Sequence, residues 1–155
     1  MSEPDPGAAA QAIIDENAYM TLATADAQGR PWASPVWYAV AGPTELVWVS
    51  RPQARHSQNL AARRELGIVI FDSRVAIGTG TGVYIDAVAD QVPRPRVEPL
   101  LAAFSARSLA QGGHEWSAAD VSGAAPVRLY RATAARVYLG VNDHRVAVSS
   151  KLASP

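Results

Sequence analysis

The chain has 155 residues, enough for one domain, and its 14 basic and 14 acidic residues give a formal net charge of zero. Zero net charge argues against the extended basic surface of a nucleic-acid-binding protein, and the absence of cysteine excludes disulfides, thiolate metal sites and cysteine nucleophiles. No run approaches the roughly 18 apolar residues of a membrane-spanning helix, and the first residues are acidic. We therefore expect a cytoplasmic protein without a membrane or nucleic-acid partner.

The first third of the chain predicts a helix followed by three strands. Residues 1–7 are expected to form a flexible tail, and residues 8–155 a single domain. The predicted elements are a helix over 8–17 and strands over 19–24, 30–40 and 46–50. The short turns between the strands predict an antiparallel meander in which 34–37 lies beside 48–50. Pro31 and Pro35 place the second strand at an edge or at an interruption of the hydrogen-bonded ladder.

The segment after the third strand predicts a helix of about fifteen residues with a cationic start. Ser50 and Gln53 have the spacing of a capping box. Arg51, Arg55 and His56 crowd the end of the helix that its dipole already makes partly positive. An anion bound among them would relieve this repulsion, so two guanidiniums and the free first-turn N–H groups predict a phosphate site. A solvated helix with unfavourably placed charges remains the alternative.

Three alternating glycines precede the next group of strands. Gly78, Gly80 and Gly82 fit neither the dinucleotide-binding fingerprint nor the P-loop. They indicate a bulge at the start of a strand, a close approach to something flat, or simply a loop.

The rest of the chain predicts more strands and one amphipathic helix. The predicted strands cover 66–71, 83–92, 127–139 and 145–149, with a turn at 142–144 before the last. The helix covers 98–111, and its predicted apolar side consists of Leu100, Leu101, Phe104 and Leu109. Six or seven antiparallel strands with flanking helices predict a mainly β protein built as a closed or partly closed barrel.

No arrangement of residues identifies a catalytic group of the protein itself. His56, His114 and His144 lack the spacing of metal ligands, so no metal is expected, and neither a nucleophile motif nor a pair of carboxylates is evident. A cofactor would therefore carry any difficult chemistry. A planar, phosphorylated ligand could span the second strand and the cationic helix start, although ordinary barrel strands would also have this sequence.

Six segments in this order resemble the pyridoxamine 5′-phosphate oxidase-like superfamily of FMN-binding split barrels. These segments are residues 20–24, 29–38, 46–60, 66–72, 78–92 and 126–139. The resemblance implies a homodimer with two FMN sites at its interface and a small-molecule substrate.

The family's cofactor-binding positions can be carried over to this chain residue by residue. The resemblance implies ring contacts from Ser34, Pro35, Val36 and Trp37, and ribityl-phosphate contacts from Val49, Ser50 and Arg51. Arg55 and His56 match the basic phosphate-binding pair, where lysine is commoner than histidine at the second position, and Asn59 is a further candidate. From the partner subunit, Thr81, Gly82 and the segment 105–116 would approach the ring, with Trp116 as its aromatic cover.

The resemblance implies a flavin oxidoreductase in which hydride passes through N5 of FMN to or from a small substrate. Arg128-Leu129-Tyr130 stands where the vitamin B6 oxidases carry a motif that ends in histidine, so that particular reaction is not expected. An F420-dependent reductase and a non-catalytic flavin- or haem-binding protein remain as alternatives.

Overall fold

The computed structural model describes residues 2, 4–141, 144–148 and 152. Its helices are α1 (Pro6–Glu16), α2 (Arg55–Ala62) and α3 (Val97–Ala110). Its strands are β1 (Tyr19–Ala25), β2 (Pro31–Trp37), β3 (Ala39–Val40), β4 (Glu45–Ser50), β5 (Glu65–Phe71), β6 (Gly82–Gln91), β7 (Arg128–Val141) and β8 (His144–Val148). Short 3₁₀ turns cover Arg94–Arg96 and Ala118–Val121. None of the helices within the described ranges is long and apolar enough to cross a membrane.

The strands form one antiparallel sheet in the order β2-β1-β5-β6-β7-β4-β3, with β8 paired to β7. The two ends of this order, β2 and β3, follow each other in the chain and are separated only by Tyr38. The sheet therefore curls until its two end strands come together. We call the line where they meet the seam, and the chain crosses it at Tyr38. This arrangement confirms the predicted mainly β, partly closed barrel.

The predicted meander is only partly correct. β1 and β2 form the expected hairpin, in which Leu22 lies opposite Ser34. β4 pairs with β7 along its whole length, and only Ala39 and Val40 of the predicted second strand pair with it. The strand is interrupted at Tyr38, whose N–H donates to the carbonyl of Ala18. Local spacing cannot reveal such an interruption, because each half of the segment is a good strand.

Two apolar clusters hold the barrel together. The larger fills its interior and contains Trp48, which is fully buried and stacks on Tyr130 with 5.8 Å between ring centroids. The smaller lies outside the barrel, where Leu101 and Phe104 of α3 pack on Val47 of β4. β4 is thus covered on both faces, as expected for a continuous apolar strand.

Several predicted boundaries differ from those of the structure. α1 begins at Pro6, two residues before its predicted start, because the Asp5 carboxylate caps the N–H of Ala8. In α3 the predicted apolar side is wrong at Leu109, which is 54% exposed, whereas Ser108 is buried. Residues 78–81 form a loop, which was one of the structures that the alternating glycines predicted. The irregularity in the pairing of β6 lies further along, at Asp86 and Ala87. Residues 142–143 of the predicted last turn fall outside the described residues.

Tyr38 should contribute to stability through its hydroxyl group, which donates to the Ile14 carbonyl of α1 at 2.5 Å. Its side chain is fully buried, so the variant Tyr38→Phe leaves that carbonyl without this partner. We expect the free energy of unfolding to fall by about 1–2 kcal/mol. Tyr19→Phe is the matched control, because Tyr19 is 62% exposed on a neighbouring strand and should change little. Equal effects of the two variants in urea denaturation would contradict this assignment.

Candidate functional site

The cationic segment contains a shorter helix than the sequence suggested. α2 has eight residues and begins at Arg55, after a turn in which the N–H of Ala54 donates to the Arg51 carbonyl at 3.0 Å. The predicted capping box is wrong, because Ala54 is the N-cap residue and none of the side chains that the structure describes caps the helix. Ser50 lies too far before Arg55 to cap it, and its hydroxyl has another partner.

That partner is His56, which joins the two sides of the barrel seam. Its Nδ1 lies 3.1 Å from the Ser34 hydroxyl on β2, and its Nε2 lies 2.8 Å from the Ser50 hydroxyl on β4. A neutral imidazole donates from one nitrogen and accepts at the other, so both contacts can form at once. Ser34 and Ser50 are therefore brought together, as the predicted meander required. The His56 side chain joins them, however, and not strand pairing.

His56 is best described as a neutral bridge. The side chain is buried, and desolvation lowers its pKa from the ordinary value of 6.5. Both ring nitrogens are already in hydrogen bonds with serines. The positive charge at this end of α2 therefore comes from arginine.

Two arginines present that charge to solvent. The Arg55 guanidinium lies over the Trp32 ring at 4.2 Å from its centroid, and both side chains are exposed. Arg51 is also exposed, and among the described residues no carboxylate forms a salt bridge with either arginine. The first turn of α2 contains no acidic residue. Its unpaired N–H groups and two guanidiniums thus form a positive surface suited to an anion.

The buried Asn59 side chain holds α2 against the barrel. The Asn59 amide donates to the Thr24 hydroxyl on β1 at 3.0 Å, and Asn59 is only 4% exposed. This contact engages the side chain that the resemblance had assigned to the cofactor. The Ser57 hydroxyl is buried and has no hydrogen-bond partner among the residues that the structure describes.

The remaining β2 and β4 candidates occupy different surfaces. Val36 is buried inside the barrel and Pro35 is exposed, so only the backbone of Val36 is available to a ligand. Val49 packs on the outer apolar cluster, next to Ser50 in sequence. Trp37 also belongs to that cluster, where its ring meets Phe104 edge to face at 4.6 Å.

The predicted partner-subunit residues separate into two groups. Trp116 also packs on Phe104, at 5.4 Å between ring centroids, so it lies near Trp37 of the same chain. Gly82 is the first residue of β6. The β6 residue that hydrogen-bonds to Arg64, just after α2, is Ala89, which lies about 23 Å further along the strand. Thr81 and Gly82 are thus not brought to α2 within one chain, and their assignment to a second subunit stays a prediction.

Two contacts of the site could not be predicted from the sequence. Trp32 lies under Arg55, and Gln111 accepts a hydrogen bond from the Trp37 indole at 2.7 Å. The second pair is 74 residues apart in the chain, and no local pattern could have joined its members.

A family model described as pyridoxamine 5′-phosphate oxidase matches residues 7–139, which is most of the chain. The sequence has no significant match among curated proteins.

Three solved structures illustrate the likeness of fold. A heme-binding protein from Mycobacterium smegmatis is 22% identical with a TM-score of 0.70, and the match covers 97% of this chain and 60% of that one. HutZ, a heme storage protein from Vibrio cholerae, is 21% identical with a TM-score of 0.67, over 90% of this chain and 99% of that one. An FAD-binding protein from Mesorhizobium loti is 19% identical with a TM-score of 0.65, over 85% and 91%. At these identities the likeness concerns the fold.

The buried His56 should make stability depend on pH. Because its folded-state pKa lies below 6.5, the unfolded chain binds the proton more readily, and the free energy of unfolding should fall as the pH drops below about 6.5. In the variant His56→Gln this part of the slope should disappear when urea denaturation is compared at pH 7 and pH 5.5. His114→Gln, which removes an exposed imidazole, should keep the wild-type slope. An unchanged slope in His56→Gln would refute the role of His56.

Proposed function

We propose that this chain, which belongs to the pyridoxamine 5′-phosphate oxidase family, is an FMN-dependent oxidoreductase whose cofactor phosphate binds at the start of α2. One observation carries the proposal. Within the described part of the chain, the N-terminus of α2 has no side-chain cap and no acidic residue in its first turn, yet it carries two exposed guanidiniums. Without an anion this arrangement is electrostatically unfavourable, and a phosphate dianion would stabilise it.

The donors present fit a phosphate group. The N–H groups of the first helical turn have no partner within the helix, and Arg51 and Arg55 add charge-assisted donors. Arg55 is already oriented by its contact with the Trp32 ring. A phosphate here would therefore be held by backbone and arginine, with neutral His56 behind them as a support.

The same geometry offers a place for the rest of the cofactor. When bound, FMN would supply hydride transfer at its N5 atom. Ser34 and Ser50 would present their hydroxyls beside the ribityl chain, because His56 holds both of them at the seam. Trp37 and the open edge of β2 would border the flavin ring. F420, which has a longer phosphorylated side chain, is the alternative cofactor for the same residues.

We further propose a homodimer that completes the site. Tyr19 is 62% exposed and Phe71 is 51% exposed on neighbouring strands at the outer surface of the sheet. A second subunit would cover such apolar surface and could bring Thr81 and Gly82 to the ring. Size-exclusion chromatography with light scattering measures this directly, and a monomer at micromolar concentration would contradict it.

Arg55→Gln should weaken FMN binding far more than it weakens folding. Loss of a charge-assisted contact to phosphate predicts an increase in Kd of about tenfold or more. The free energy of unfolding should change by less than about 1 kcal/mol, because Arg55 is exposed. Flavin absorbance retained after desalting, together with fluorescence titration, measures the effect.

Arg63→Gln is the matched control. Arg63 is the C-cap residue at the other end of α2, so its loss should change the FMN Kd by less than about twofold. If both variants retain flavin like the wild type, the phosphate does not bind at the start of α2.

Oxidation of NADH or NADPH by the loaded protein tests the oxidoreductase assignment. Stable flavin binding without turnover would instead indicate a carrier, and binding of F420 alone would replace FMN.

A further inference from the structure

A small aromatic cleft lies on the outer surface beside β2. It encloses about 220 Å³ and is lined by Trp37, Phe104, Ser108, Gln111, His114 and Trp116, together with a glycine. His114 is the only titratable group among these residues. The cleft therefore differs in chemistry from the arginine-rich start of α2.

The aromatic walls are fixed by contacts within the chain. Phe104 forms the floor, with Trp37 and Trp116 packed edge to face against it at 4.6 and 5.4 Å. His114 lies against Trp116 at 4.5 Å. The backbone N–H of Trp116 donates to the buried Ser105 hydroxyl at 2.8 Å, and this bond anchors the wall to α3.

The segment after α3 follows a tight path to form the rim. Gly112 has a φ of 81°, a conformation that side chains disfavour. At Gly113 an added Cβ would collide with the Ser108 hydroxyl, so the backbone of this segment lies close against α3. The cleft is thus already formed in the isolated chain.

Gln111 gives the cleft a directed polar group. The Trp37 indole nitrogen can only donate, so the oxygen of the Gln111 amide must face it, at 2.7 Å. The amide nitrogen is then left with two N–H donors, which have no acceptor among the described residues. A ligand in the cleft would meet them with an acceptor oxygen.

We propose that this cleft binds a small, uncharged, planar aromatic molecule that carries a carbonyl-type oxygen. The aromatic walls select the ring, and the Gln111 amide selects the oxygen. The volume suits a single ring with one substituent. No lysine, arginine or carboxylate lines the cleft, so no opposite charge is present to balance an ionic ligand.

The position of the cleft suggests what this ligand does. Trp37 lies three residues from Ser34 on β2, about 10 Å along the strand. The ligand would thus bind beside the flavin ring as the substrate, an aromatic carbonyl or quinone-like compound. This role rests on the proposed function, whereas the existence of the cleft does not.

Benzamide is a suitable probe, and the ring-proton resonances of His114 are the readout. Trp116 already contacts the imidazole, so an aromatic ligand in the cleft should shift these resonances in a saturable way. The variant His114→Gln assigns them. Cyclohexanecarboxamide has the same amide without an aromatic ring and should bind at least about fivefold more weakly. A missing or non-saturable benzamide shift would overturn the proposal.

Two variants test the polar group and one aromatic wall of the cleft separately. Gln111→Glu keeps an acceptor for the Trp37 indole but removes both N–H donors, so benzamide should bind about fivefold more weakly without loss of fold. Trp116→Leu should also weaken binding. Val146→Ala, which trims an exposed apolar side chain on β8, is the control and should bind like the wild type. Equal affinity in all four proteins would overturn the proposal.

The same titration with FMN-loaded protein separates this inference from the proposed function. Benzamide should bind both with and without FMN, and Gln111→Glu should retain FMN fully. Displacement of benzamide by FMN would show that the cleft belongs to the flavin itself and would overturn the proposal. Benzamide binding by a protein that retains neither FMN nor F420 would instead support the cleft and refute the proposed function.

Discussion

The bridge formed by His56 between Ser34 and Ser50 is the contact on which the site depends. The sheet order leaves β2 and β4 without a continuous hydrogen-bonded ladder between them. One buried imidazole spans this seam because each of its nitrogens finds a hydroxyl. Since His56 is the second residue of α2, the same contact also positions the start of the helix.

The separation of roles around α2 follows from burial. A buried imidazole is driven towards its neutral form, whereas exposed guanidiniums keep their charge at any accessible pH. His56 and Asn59 therefore act as anchors, and Arg51 and Arg55 act as the charged surface. A lysine at position 56 could not accept a hydrogen bond from a serine, so the histidine changes how the seam is held.

Much of the fold could be predicted from local patterns, whereas the details of the site could not. Alternating apolar residues placed most strands within one or two residues, and the cationic cluster marked the positive surface at the start of α2. The capping box failed because His56, six residues further along the chain, engages the Ser50 hydroxyl. Leu109 was misplaced because α3 buries the small polar residues Ser105 and Ser108 against the loop that follows it.

Three features could be inferred from the sequence alone: the class of fold, the placement of Pro31 and Pro35 at an edge or an interruption, and the excess of cations at Arg51 and Arg55. These features follow from period-two apolar patterns, from the missing N–H of proline and from charge, all of which are local. The pairing of β4 with β7, the closure of the seam by His56 and the contact between Trp37 and Gln111 emerge only in the folded chain. Such contacts join residues far apart in the chain, and they are selected by the free energy of the whole packed barrel rather than by any segment alone.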